Sequence, residues 1–153
     1  MKVTVRPLRG DDRAFVLDLG RRTVGSSVAP DRPAPGVVVE VALERLIESV
    51  ETRSHAAIIA ESDGARAGFL LMIEDLPDEI TSLPQAFVAY MAVEPALQVR
   101  GIGKKLLEAA EREARGHGLP YICLMVTEEN APARALYAAA GYHTERRLLC
   151  KAL

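Results

Sequence analysis

Ala86-Phe87-Val88-Ala89-Tyr90-Met91-Ala92-Val93 is an unbroken apolar run, followed directly by Glu94-Pro95-Ala96-Leu97-Gln98-Val99-Arg100-Gly101-Ile102-Gly103-Lys104. An apolar run without polar interruption reads as a strand covered on both faces. Past the two glycines, Ile102, Leu106, Leu107, Ala110 and Ala114 recur at helical spacing and mark an amphipathic helix. It stops at Gly116 and Gly118, ahead of Pro120, and Tyr121 to Val126 is a second buried strand. Strand, helix and strand form a βαβ unit, which predicts parallel strands joined by a right-handed crossover.

Upstream, Lys2 to Arg6 alternates and reads as a first strand, and Asp11 or Asp12 is placed to cap a helix running to about Arg22. Gly25 to Gly36, with Ser26, Ser27, Pro30, Pro33 and Pro35, is a loop. Val39, Ala42, Leu43, Leu46, Ile47 and Val50 lie on one face of the next helix. Ala56 to Ala60 and Arg66 to Ile73, joined through Asp63-Gly64, form a β-hairpin. A Pro-bounded loop from Pro77 to Pro84 leads into the quoted run. Downstream, Asn130 caps a helix over Ala131 to Ala140, with Pro132 in its first turn and Gly141 beyond its end. The tail from His143 to Leu153 is expected to close as a strand. The fold class is α/β, a mixed sheet with antiparallel N-terminal strands, a central parallel β-α-β unit and helices on both faces.

The 153 residues fit one domain, 1–153, able to bury about two-thirds of its unfolded surface without a metal or disulfide. A hydrophobic fraction of 49% and a charged fraction of 26% are those of a soluble globular protein. The net charge of -2 gives no electrostatic footprint for nucleic acid. No stretch reaches the ~20 apolar residues that span a bilayer, and Met1 to Arg6 lacks the apolar core of a signal peptide. The expectation is a cytoplasmic protein with no membrane partner. Cys123 and Cys150 sit in apolar runs and are expected to be buried, reduced thiols. His55, His117 and His143 are too dispersed to mark a metal site, so none is expected.

The turn between the buried strand and its helix carries the chemistry. Gly101 and Gly103 allow close backbone approach, and a helix N-terminus presents unpaired N–H groups toward an anion such as a diphosphate. Lys104 and Lys105 add positive charge there. A dinucleotide fingerprint needs a third glycine where Leu106 stands. A P-loop needs glycine at Gln98 and a hydroxyl residue after Lys104, where Lys105 stands. Both nucleotide readings fail, and the glycine pair alone remains compatible with a simple tight turn.

Gln98-x-x-Gly101-x-Gly103, after a Val-x-Pro, resembles the acetyl-CoA signature of the GCN5-related N-acetyltransferase (GNAT) superfamily. Asn130-Ala131-Pro132-Ala133-Arg134-Ala135-Leu136-Tyr137-Ala138-Ala139-Ala140-Gly141-Tyr142 resembles that family's second signature, and Leu148 to Leu153 its last strand. The resemblance is specific over Val93 to Leu153 and rests on element order alone before that.

The resemblance implies a GNAT-like fold and direct transfer of an acetyl group from acetyl-CoA to a primary amine of a small molecule, amino acid or peptide. The alternative is a non-catalytic acyl-CoA sensor. The amides of Gln98, Val99, Arg100, Gly101, Ile102, Gly103 and Lys104 would hold the pyrophosphate. Main-chain groups of Met91 and Val93 would pair with the pantetheine arm, and one N–H there could polarise the thioester carbonyl. Asn130, Ala133 and Tyr137 complete the cofactor contacts, although capping alone explains Asn130. Tyr137 is the expected general acid, since a phenol of pKa ~10 stays protonated at neutral pH and can donate to the departing thiolate. Glu94 is the candidate base, with Glu74, Asp75 and Glu128 as further carboxylates near strand ends. Phe87 and Met125 stand where histone-type and ribosomal-protein acetyltransferases, respectively, place a glutamate. Asp31, Asp75, Asp78 and Glu79 would suit a cationic acceptor. A homodimer is compatible with the family resemblance.

Overall fold

Strands β2 (His55–Ser62) and β3 (Ala65–Ile73) are rich in apolar residues on both faces, which requires cover on each side. The computed structural model, which describes all 153 residues, supplies that cover. The remaining elements are β1 (Val3–Pro7), α1 (Arg13–Thr23), α2 (Gly36–Glu51), β4 (Ala86–Val93), α3 (Ile102–Gly116), β5 (Ile122–Leu124) and α4 (Ala131–Ala139). The sheet order is β1-β2-β3-β4-β5. The first four strands pair antiparallel and β4 pairs with β5 in parallel, as the βαβ reading requires.

Alternation sorts the core. Ile58, Ala60, Leu70, Met72 and Val88 face α3, where they meet Ile102, Leu106, Leu107 and Ala110. Ile59, Phe69, Leu71, Ile73 and Ala92 face α1 and α2 and pack on Val16, Leu19, Leu43, Ile47 and Val50. Burial of each Val, Leu, Ile, Met or Phe side chain among them is worth about 1.5–3 kcal/mol relative to exposure.

Asp12 departs from its expected capping role. It ends a 3₁₀ turn over Gly10–Asp12, is fully buried, and makes no side-chain bond to the first turn of α1. Its carboxylate instead accepts from Arg6 at 2.7 and 3.0 Å, from Arg66 at 2.6 Å and from the Arg9 amide at 2.8 Å. One buried charge thereby ties β1 and β3 to the start of α1. Hydrogen bonding from Arg6 is the foremost cause holding this carboxyl well below the usual range, and burial opposes it.

Three other expectations need correction. Strand β5 is limited to Ile122–Leu124, because the chain then leaves β4 and the Thr127 hydroxyl donates to the Ser27 carbonyl at 2.7 Å. The tail from His143 to Leu153 forms no strand. Its polar start is drawn instead to the β3–β4 loop, where Arg146 pairs with Asp78 at 2.5 Å and Glu79 at 3.4 Å. Cys150 is exposed on that tail rather than buried, whereas Cys123 is half-buried; both thiols are free. No helix is long and apolar enough to cross a membrane.

Candidate active site

The parallel pairing of β4 with β5 spans only Ala86–Val88 against Ile122–Leu124. From Ala89 to Val93 the outer edge of β4 is therefore open. The amide of Glu94 donates to the Ala67 carbonyl at 2.8 Å. Hydrogen-bonded and non-hydrogen-bonded pairs alternate along antiparallel strands. Val93 opposite Gly68 and Met91 opposite Leu70 thus turn their N–H and C=O away from β3, toward the open edge. A bulge opposite Leu71/Met72 leaves Ala89 without a partner and marks where the edge begins to diverge.

At the end of this edge lies the glycine turn. No amide from Val99 to Lys104 donates to a carbonyl or side chain of the protein; the first bonded amide of the helix is Lys105, to Gly101. Gly101 caps α3 at φ 81°, and Val99 is held at φ 59° while fully exposed. That conformation costs a β-branched residue about 1–3 kcal/mol. It turns successive N–H groups to one side, a nest that complements an anion together with the positive end of α3. Lys104 is exposed and only 3.9 Å from Glu108, so its charge is weakly compensated.

Helix α4 packs against the same turn. A Cβ on Gly103 would lie 2.8 Å from a Leu136 methyl group, so glycine is what lets α3 and α4 approach. The Asn130 side chain accepts from the Ala133 amide at 3.3 Å, fulfilling the capping expectation. Tyr137 follows Leu136 and stacks edge-on with Tyr142, ring centroids 6.1 Å apart. Its hydroxyl has no protein partner and is not sealed from solvent. Burial pushes this phenol above its ordinary value, and the nearby Tyr90 adds to the effect.

The candidate carboxylates fare differently. Glu94 sits at the end of β4 beside the site, but both its oxygens are bound by Arg22, at 2.7 and 3.0 Å. That bidentate pair occupies both carboxylate oxygens and turns them toward α1. Glu74 and Asp75 lie past the end of β3, where Ile73 pairs with Phe87, at the far end of β4 from the glycine turn. Asp75 is bound by Arg53, and Glu128 is exposed beside Arg134. Asp78 and Glu79 are bound by Arg146, so three of the four acids suited to a cationic acceptor already have arginine partners.

Sequence reading missed Tyr90. It lies on β4 with its ring 5.8 Å from Phe69, and its hydroxyl is 2.9 Å from Thr23 Oγ1 in the last turn of α1. Within the apolar run Ala86 to Val93 nothing sets it apart, and only the neighbouring helix reveals its polar tip.

Comparison with known proteins agrees with this geometry. Residues 29–142 match the acetyltransferase (GNAT) family. A mycothiol acetyltransferase from Nocardioides sp. is 40% identical over 55 residues, 36% of this chain and 19% of its own length. The [ribosomal protein bS18]-alanine N-acetyltransferase of Haemophilus ducreyi is 35% identical over 63 residues, 41% of this chain and 43% of its own. The chain thus spans less than half the length of either relative. A solved aminoglycoside N-acetyltransferase in complex with CoA superposes with a TM-score of 0.72 at 19% identity, covering 99% of this chain and 95% of its own. With three quarters of its residues matched and both signature segments folded around one turn, the chain belongs to the acetyltransferase (GNAT) family.

Proposed function

We propose that this protein is an N-acetyltransferase that takes its acetyl group from acetyl-CoA and passes it directly to a primary amine. The observation that carries the reading is the run of unbonded amides from Val99 to Lys104 at the N-terminus of α3, continuous with the open edge of β4. A pyrophosphate fits the first and an extended pantetheine arm the second. Met91 and Val93 would bond that arm, with one N–H left to polarise the thioester oxygen. Gln98 to Lys104 would hold the phosphates, and Asn130 and Ala133 would border the arm from α4.

Attack of the amine nitrogen on the thioester carbon forms the C–N bond and breaks the C–S bond. Tyr137 would donate its phenolic proton to the departing sulfur, a role supported by its free hydroxyl and elevated pKa. We assign Glu94, because of its Arg22 partner, to fixing α1 against β4 rather than to accepting the amine proton, which would leave through water.

Thermal unfolding with and without acetyl-CoA tests the reading first. Ligand at about 100 times its Kd adds about 2.7 kcal/mol. For a domain of this size that raises Tm by roughly 5–10 °C. Gly101→Asp, which places a carboxylate among the phosphate-binding amides, should abolish the shift. Release of free CoA is then measured with an alanyl peptide, a lysine-containing peptide and an aminoglycoside. A shift without turnover on any amine would identify a sensor instead, and no shift in folded protein would end the acetyl-CoA reading.

A further inference from the structure

The Tyr90–Thr23 pair has a fixed direction. Thr23 Oγ1 lies 2.8 Å from the Leu19 carbonyl and 3.4 Å from that of Gly20, neither of which can donate. The threonine hydrogen is therefore committed to the helix backbone, and the 2.9 Å contact with Tyr90 must be made by the tyrosine's own O–H, donating to Thr23. The chain Tyr90 → Thr23 → Leu19 ends on a carbonyl, which takes up no proton. Tyr90 is thus not a relay: its hydrogen is held, and its oxygen keeps its lone pairs as acceptors.

That residue stands on β4 one position before Met91, within the span where the strand's outer edge is open. It packs on the α1 side of the sheet, while Tyr137 packs on the α3 side. Burial raises the Tyr90 phenol, so it stays neutral over the working pH range. Its ring is locked against Phe69, and α1 is locked to the same strand by Arg22–Glu94. A neutral acceptor, held on two sides and placed across β4 from the expected acid, matches what an attacking amine needs: a partner for one N–H that leaves the nitrogen lone pair free.

Resting on the acetyl-transfer reading above, we propose that the Tyr90 hydroxyl oxygen accepts a hydrogen bond from the acceptor amine and aims its nitrogen at the thioester carbon, with Thr23 fixing the orientation of that hydroxyl.

Steady-state kinetics with the alanyl peptide, the lysine-containing peptide and the aminoglycoside tests this. Tyr90→Phe keeps the ring packing and should lower kcat/KM for the amine about tenfold, the worth of one such bond. KM for acetyl-CoA and the acetyl-CoA thermal shift should stay as in the wild type. Thr23→Val should lower the same constant in the same direction, and Thr23→Ser, which retains the hydroxyl, should restore most of it. Wild-type turnover with an unchanged kcat/KM for the amine in Tyr90→Phe overturns the inference alone. Loss in Tyr90→Phe matched by an equal loss of acetyl-CoA affinity also overturns it, because the residue would then serve the cofactor. Absence of wild-type turnover on all three amines removes the transfer reading and this inference together.

Discussion

Replacing Asp12 by Asn removes one negative charge from beneath Arg6 and Arg66 while keeping the side chain's size. The carboxylate is fully buried and accepts four hydrogen bonds, three of them from guanidinium groups. Breaking a buried ion pair from one side generally costs about 3–5 kcal/mol. The lower end applies here, since Arg6 keeps Glu61 at 2.7 Å and the two arginine side chains remain 17% and 37% exposed. At roughly 2–4 °C per kcal/mol for a domain of this size, about 3 kcal/mol lowers Tm by some 6–12 °C. The pH dependence gives a second handle. A carboxyl whose folded pKa is depressed contributes stability that is complete above its unfolded value of ~3.9 and is lost as pH falls through the folded value. The gap in Tm between wild type and Asp12→Asn should therefore be constant from pH 7 to about 5 and shrink below about 4. Calorimetric melts across that range check it. A gap under 2 °C at pH 7, or one that stays the same at pH 3, refutes the reasoning.

Tyr137→Phe should lower kcat by about 100-fold or more, the usual worth of a positioned acid, with little change in acetyl-CoA affinity. Because the phenol is raised from its ordinary value, wild-type kcat should show no alkaline loss from this group until above pH ~10, which stopped-flow rates at high pH would check. Arg146→Ala should speed proteolytic cleavage within residues 76–85 by freeing the tail from the β3–β4 loop. The same change should raise the Asp78 pKa only part of the way from about 2, since bonds from Thr81 are the larger cause of its depression; carboxyl NMR titration would read this.

The βαβ unit was legible because its signals are local: an uninterrupted apolar strand, a helix of clear periodicity and glycines at the turn between them. The unbonded amides of the turn follow from those glycines, and Asn130 and Tyr137 from the second signature. Long-range electrostatics were not legible. Asp12 carries the pattern of an ordinary cap, and only the arrival of Arg6 and Arg66 from two strands makes it a buried charge. Glu94 reads as a free carboxylate at a strand end until α1 brings Arg22 onto it. Val99 gives no sequence sign of its left-handed conformation. The tail looks strand-like from Leu148 onward, but its course is set earlier, where Arg146 meets the acids of a loop some 67 residues away. Tyr90 depends on the direction of a hydrogen bond, which no spacing encodes.

The tie between Ser27 and Thr127 has an evolutionary consequence. The chain from Val28 to Pro35 hangs between that fixed point and the first residue of α2, so its ends hold position whatever its length. Lengthening such a span is thermodynamically mild, about 0.6 kcal/mol per doubling. Tyr90, Glu94 and the glycine turn are all secured by contacts outside it. Insertions and replacements there leave those three in place, so this stretch of surface can diverge between lineages without disturbing the open strand edge or the turn.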